Sequence, residues 1–177
     1  MNKLKITSGA LRGRTIVTPG GDTHPMGERE RLALFNMIAS EIPGALVLDA
    51  FAGSGALGIE ALSRSAKKVV FVEKDRKAVS RAIKKNLVDL GLNETSEVFG
   101  IDVSKFTYGG RFDVVLADPP YDDFKIDGVV YLVKYLKESG VFVLSHPGES
   151  PGIEGLILDK SRKYAGATIS VYRKTSD

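Results

Sequence analysis

The sequence predicts an α/β fold. The core is a mainly parallel, doubly wound sheet that ends in a C-terminal antiparallel hairpin, and a small N-terminal β-hairpin and helix precede it. Three observations carry this. Short apolar runs alternate with helix-patterned segments from residue 45 to residue 145, the first run leads into a glycine-rich turn that opens a helix, and two strand-like stretches flank Ala165-Gly166 near the end.

The elements follow in order. Residues 4–8 and 14–18 alternate about the turn-like Gly9-Ala10-Leu11-Arg12-Gly13 and read as a hairpin, and Pro19-Gly20-Gly21-Asp22 reads as a loop. From Glu28 to Glu41 the residues Leu32, Leu34, Phe35, Ile38 and Ala39 recur at helical spacing, until Pro43-Gly44 breaks the pattern. We place a boundary there, between an N-terminal extension (residues 1–43) and a main domain (residues 44–177). Within the main domain, 45–50 is a buried strand, 56–64 a helix and 68–73 a second strand. A longer helix over 75–90 is capped by Asp75 and closed at Gly91. Strands over 98–101 and 112–117, a helix over 127–138 and a strand over 141–145 complete the alternation, and 156–163 with 167–173 form the closing hairpin.

Composition narrows the chemistry. With 43% apolar and 27% charged residues over 177 positions, the chain can bury one real core. No apolar run approaches the roughly 20 residues needed to span a bilayer, and the N-terminus lacks a secretory pattern, so we expect a cytoplasmic protein. The absence of cysteine excludes disulfides, thiolate metal sites and thiol nucleophiles, and two histidines make no metal site. Residues 1–40 hold six basic side chains, Lys3, Lys5, Arg12, Arg14, Arg29 and Arg31, against Asp22, Glu28 and Glu30. That difference equals the whole net charge of +3, which suggests a polyanion-facing arm on a neutral body.

Two motifs carry the chemistry. In Asp49-Ala50-Phe51-Ala52-Gly53-Ser54-Gly55-Ala56-Leu57-Gly58, glycines at a strand-to-helix turn let the backbone approach a ligand. Gly53, Gly55 and Gly58 satisfy the GxGxxG dinucleotide pattern, and Glu73 at the next strand end suits a ribose diol, so a nicotinamide cofactor and S-adenosylmethionine both fit. Asp49 leans toward the second, because a carboxylate attracts a sulfonium and an ammonium and repels a pyrophosphate. The other motif, Asp118-Pro119-Pro120-Tyr121, follows the apolar strand FDVVLA, where ligands bind in open α/β sheets. It suits an aryl amine. Asp118 and the Pro119 carbonyl can accept the two N–H bonds, which localises a lone pair otherwise delocalised into the ring. The prolines fix the carbonyl direction, and Tyr121 offers a face for stacking a base.

With these motifs on ITSGALRGRTI, ERERLALFN, LDAFAGSGALGIEALSRSAKKVVFVEKD and DVVLADPPYD, the chain resembles the RsmD family of bacterial 16S rRNA guanine-N2 methyltransferases, within the amino-methyltransferases of class I. The resemblance implies a Rossmann-like seven-stranded core, S-adenosylmethionine as donor, guanine 966 of 16S rRNA as target, and a small ribosomal subunit or assembly intermediate as substrate. It places Asp49, Phe51, Ala52, Gly53, Ser54 and Gly55 around the methionine end. Glu73 takes the ribose with Lys74 beside it, Asp102-Val103 the adenine, and Asp118, Pro119, Pro120 and Tyr121 the transfer site. Arg12, Arg14, Arg29 and Arg31 fall to RNA. The transfer is direct, from sulfonium to amine without a covalent intermediate. The protein is expected to act as a monomer, without membrane or metal. His24-Pro25-Met26 stands where the family usually reads Arg-Pro-Thr, which removes any contact made there by the arginine or threonine.

Rival readings are a DNA adenine-N6 methyltransferase, an NAD-dependent oxidoreductase and a catalytically inactive rRNA-binding assembly factor. The chain leaves little room for the target-recognition segment of the first, and an intact Asp118–Tyr121 motif weighs against the last. Leu34 and Phe35 read as core. His146 reads as a loop residue without a role, and Asp122, Asp123 and Asp127 as solvated.

Overall fold

The computed structural model of the chain describes residues 2–20 and 25–175. Residues 21–24, which include Asp22 of the expected loop and His24, lie outside the described residues. A two-stranded antiparallel hairpin of β1 (Lys3–Lys5) and β2 (Thr15–Val17) is followed by α1 (Glu28–Met37). The chain then alternates through β3 (Leu46–Ala50), α2 (Ala56–Ser63), β4 (Lys68–Val72), α3 (Arg76–Ala78), α4 (Lys84–Leu90), β5 (Ser96–Phe99), β6 (Phe112–Ala117), α5 (Ile126–Leu132) and β7 (Leu136–His146). It closes with β8 (Leu156–Tyr164) and β9 (Ala167–Lys174).

One seven-stranded sheet runs in the order β5-β4-β3-β6-β7-β9-β8. Strands β3 to β7 are parallel, while β9 is antiparallel to both neighbours. The parallel strands read as near-continuous apolar runs because both of their faces are covered. Side-chain alternation divides the core into two layers. Val47, Val69, Phe71, Val114, Leu116 and Val143 pack beneath α1 and α2, with Leu34, Phe35, Ile38 and Ile59 above them. Leu48, Val70, Val115, Phe142 and Leu144 face Phe106, Val129 and Leu132 on the other side. Each such fully buried side chain contributes about 1.5–3 kcal/mol. Leu34 and Phe35 are core, as their spacing predicts.

Since β3 pairs with β4 on one side and β6 on the other, the chain reverses its walk there, the switch point beyond whose carboxyl ends open α/β sheets form their ligand crevice. Among the described residues, no helix is long and apolar enough to cross a membrane.

Four expectations are corrected. The helix expected to reach Glu41 ends at Met37, where Ile38 leaves helical dihedrals. The helix over 75–90 holds a π turn, Val79–Ile83, between α3 and α4, although Asp75 does cap it through Lys77 N–H (2.8 Å) and Gly91 closes it at φ 70°. The helix expected to reach Glu138 ends at Leu132, and Leu136 is already strand. Pairing with β6 outweighs helical periodicity there, since Leu136 lies opposite Phe112 and Lys137 bonds Asp113 at 2.9 Å. His146 is the buried last residue of β7 rather than a loop residue, with Nε2 2.7 Å from Ser170 Oγ.

The N-terminal hairpin is clamped to α2 by one carboxylate. Glu60 of α2 accepts from Thr7 N–H (3.0 Å), Thr7 Oγ1 (2.6 Å), Ser8 N–H (3.0 Å), Arg31 Nε (3.3 Å) and Arg64 Nε (3.2 Å). Arg31 also donates to the carbonyls of Met26 and Lys5 and is 1% exposed. Its assignment to an RNA surface is therefore corrected: the guanidinium is consumed inside the fold.

Candidate active site at the carboxyl ends of the central strands

The turn after β3 is built from left-handed residues. Phe51 has φ 59°, Gly53 φ 56° and Gly55 φ 81°. Glycine adopts this region without penalty, whereas Phe51 is held there at a cost of about 1–2 kcal/mol. At Gly58 a Cβ would lie 2.3 Å from the Phe71 ring, so this glycine lets α2 lie close on β4. Asp49, next to last in β3, is buried and accepts the Gly58 N–H at 2.8 Å. Glu73, just past β4, reaches back across the turn. One carboxylate oxygen accepts from Gly53 N–H (2.7 Å) and the other from Asp75 N–H (2.8 Å).

Ala52 and Ser54 are buried in the turn, and Ser54 is tied to the arm by one side chain. Asn86 of α4 exchanges two hydrogen bonds with the Val17 backbone (2.8 and 2.9 Å) and donates to the Ser54 carbonyl at 3.1 Å. Farther along the edge, Asp102 accepts from Ser104 N–H (2.9 Å) and Oγ (2.7 Å), which holds its carboxyl below the usual range. Val103 beside it is buried in the second core layer, and Lys74 is exposed nearby.

Asp118 directly follows β6. Because Ala117 lies between Ala50 of β3 and Leu144 of β7, Asp118 sits beside the end of β3 on one side and Ser145 on the other. Burial pushes its carboxyl up to about 6, although the Ser145 hydroxyl pulls the other way. It keeps a solvent-accessible edge at the crevice mouth. Asp49 is held well above the usual carboxylate range, first by burial and then by the negative charges of Asp118 and Glu73, with the Gly58 N–H opposing.

Pro119 is buried, Pro120 is exposed, and Tyr121 begins a single 3-10 turn. The half-buried Tyr121 hydroxyl is hydrogen-bonded to Ser145 Oγ, and burial raises the phenol above its usual value. Ser145 thus acts at both ends of the Asp118–Tyr121 motif, bonding the Tyr121 hydroxyl and drawing the Asp118 carboxyl down. Sequence reasoning gave it no role, yet a polar residue ending an apolar strand in register with Asp118 is the signal that could have found it. Asp122, Asp123 and Asp127 are exposed, as expected.

The structure therefore brings Asp49, the glycine turn, Glu73 and Asp118–Tyr121 to one crevice, with Asp102 and Val103 along the same end of the sheet. Of the four expected RNA-facing arginines, Arg12, Arg14 and Arg29 are exposed. Among the described residues no cluster of three His, Asp or Glu side chains is placed to hold a metal ion.

Comparison with known proteins bears on the family and the fold. Residues 4–173 match the family model described as "Conserved hypothetical protein 95". YlbH of Bacillus subtilis, whose name proposes rRNA methyltransferase activity, is 31% identical over 183 residues, covering 97% of this chain and 99% of YlbH. The ribosomal RNA small subunit methyltransferase D of Haemophilus influenzae is 42% identical over 125 residues, 67% of this chain and 64% of that protein. Among solved structures, Escherichia coli yhhF, named as a proposed methyltransferase, superposes with a TM-score of 0.87 at 30% identity, over 99% of this chain and 100% of that one. The magnesium protoporphyrin IX methyltransferase of Synechocystis shares the fold at a TM-score of 0.65 and 16% identity, over 88% of this chain and 87% of that one. The architecture is the Rossmann-like class I methyltransferase fold.

Proposed function

The chain belongs to the conserved hypothetical protein 95 family, that of the small-subunit rRNA methyltransferases D, and on that premise we propose that it methylates a base amine of 16S rRNA, the N2 of guanine, with S-adenosylmethionine as donor. The observation that carries the proposal is electrostatic. Asp49, Glu73 and Asp118 converge on one crevice, none has an ion-pair partner among the described residues, and burial with mutual repulsion raises Asp49. Such a site takes a cation. A dinucleotide pyrophosphate would add negative charge to it, whereas the ammonium and sulfonium of S-adenosylmethionine relieve the repulsion. The residues fit that molecule: Glu73, beside the glycine turn, would hold its ribose with Lys74 alongside, and Asp102 with Val103 would hold the adenine.

When bound, S-adenosylmethionine supplies an electrophilic methyl carbon on its sulfonium. The chain's own residues prepare the acceptor. The Asp118 carboxylate and the Pro119 carbonyl each accept one N–H of the target amine, which localises its lone pair, and Tyr121 borders the base plane. A carboxyl raised to about 6 is ionised at neutral pH and basic enough to hold the proton the amine releases. Arg12, Arg14 and Arg29 face the RNA backbone, and the substrate is the small subunit or an assembly intermediate.

The test uses purified protein, small subunits from a strain lacking this gene, and labelled S-adenosylmethionine, with nucleosides resolved by mass spectrometry. N2-methylguanosine in 16S rRNA supports the proposal. N6-methyladenosine would move the reading to adenine, and saturable NAD binding without S-adenosylmethionine binding would end it.

A further inference from the structure

Strand β8 stands apart from the rest of the seven-stranded sheet. From Ile157 to Lys163 every residue is exposed, while its neighbour β9 is buried over most of its length. It carries Lys160, Arg162 and Lys163 against the single acid Asp159. Asp159 is paired with Arg173 (3.1 Å), the Lys160 ammonium donates to the Met37 carbonyl at the end of α1 (2.8 Å), and Lys163 is paired with Glu149. Arg162 has no ion-pair partner among the described residues.

The register fixes where Arg162 stands. Arg162 lies opposite Ile169, Ile169 opposite Ser145, and Ser145 next to Asp118. These four residues form one row across the carboxyl end of the sheet. At the usual strand spacing, Arg162 is about 14 Å from Asp118 along that row. Alternation puts Arg162 on the face of Ile169, the face covered by α1, α2 and the N-terminal hairpin. Tyr164, two residues on, packs against that same core and anchors the hairpin tip. A polynucleotide with one base held at Asp118 has its flanking backbone within reach of this edge.

We propose that the basic edge of β8, through Arg162, grips backbone phosphate next to the target nucleotide, as an RNA contact separate from the arginines of the N-terminal segment. The inference rests on the rRNA substrate proposed above. Phosphates are the partner that an exposed guanidinium on a cationic strand selects, and such contacts set the register of the nucleic acid without reading its sequence. Basic residues on an edge strand also discourage strand pairing between molecules, and the test separates the two roles.

Arg162→Glu and the double variant Arg162→Glu/Lys163→Glu are compared with the parent for binding to undermethylated small subunits across a salt series. S-adenosylhomocysteine binding by calorimetry and sedimentation are measured alongside. The expected result for Arg162→Glu is a roughly tenfold weaker subunit affinity with a salt slope shallower by about one, at unchanged cofactor affinity. Wild-type affinity and slope in both variants would overturn the proposal. Self-association of the double variant with unchanged subunit binding would also overturn it, in favour of an edge guard. A parent protein that neither binds nor methylates subunits removes the underlying reading and this inference with it; a parent that methylates normally while the variants match it removes only the inference.

Discussion

Two carboxylates buried on the same face of the sheet have opposite surroundings. Glu60 is enclosed by two guanidinium groups, two backbone N–H groups and a threonine hydroxyl. Asp49, equally buried, accepts one backbone N–H and faces two further acids. The first is complete within the fold and fastens the N-terminal segment to α2. The second is left with an electrostatic deficit that a proton, or a cation from outside, settles. A buried charge paired inside the chain does structural work, and one left unpaired at a strand end marks a ligand site.

The largest effect expected from breaking this contrast is on the paired side. Arg31→Ala removes one of the two guanidinium groups that balance buried Glu60 and leaves the Met26 and Lys5 carbonyls without that donor; because Arg64 still pairs with Glu60, the loss falls at the low end for a broken buried pair, about 3 kcal/mol. Chemical denaturation should show that loss, and S-adenosylhomocysteine binding measured below the transition should stay near that of the parent. A variant with parental stability and weakened RNA binding would return Arg31 to the RNA surface.

On the unpaired side, Asp118→Ala should lower methyl transfer by on the order of a hundredfold or more, through lost orientation and lone-pair localisation. Asp118→Asn keeps one acceptor oxygen and should retain part of the rate. Both variants should fold, because the residue lies at the open end of its strand. Near-parental turnover by the alanine variant, with cofactor bound normally, would remove Asp118 from the chemistry.

The same contrast has a pH signature. The folded state raises Asp118 from 3.8 to about 6, so folding favours its protonated form. That contribution is fully present below pH 3.8 and is lost as pH rises through about 6, a change of up to about 3 kcal/mol. Asp49 acts in the same direction. Glu41, Asp102 and Asp113 are shifted down and act oppositely, so the useful quantity is a difference between proteins. Relative to Asp118→Asn, the ligand-free parent should be most stable at pH 4 and lose that advantage by pH 8, as read from denaturation midpoints. A pH-independent difference would contradict the raised carboxyl.

Much of this is legible in the sequence. The glycine turn, the acid after the second strand and the Asp118–Tyr121 motif are local, and a strand end followed by a turn places such residues without long-range information. Charge counting was less informative. Arg29 and Arg31 lie two residues apart on one helix, yet one is exposed and the other buried, because α1 turns Arg31 toward Glu60, far away in sequence. The helix expected through Glu138 failed for a related reason: Leu136 and Lys137 answer to Phe112 and Asp113 on a neighbouring strand. Ser145 was passed over because its significance lies in register. It becomes visible only once β6 and β7 are aligned.

The smallest effect expected is at Ser145 itself, where the contrast can be sharpened without removing a charge. Its hydroxyl is the one neutral group among the described residues that draws the Asp118 carboxyl back toward its ordinary value, and it also holds the Tyr121 hydroxyl. Ser145→Ala should therefore raise the Asp118 carboxyl further and move the acid limb of the kcat/KM profile to higher pH. A hydrogen bond to a charged group contributes about 1.5–3 kcal/mol, so a roughly tenfold fall in kcat is the expected scale. Tyr121→Phe separates the two functions of the hydroxyl. It releases the ring from Ser145 but leaves the hydroxyl that draws the Asp118 carboxyl down, so its rate should fall without movement of the acid limb. Ser145→Thr restores the hydroxyl and should recover most of the activity. If Ser145→Ala instead lowered stability alone, with rate and pH profile unchanged, the residue would be packing beneath the site and Asp118 would be set by burial without it.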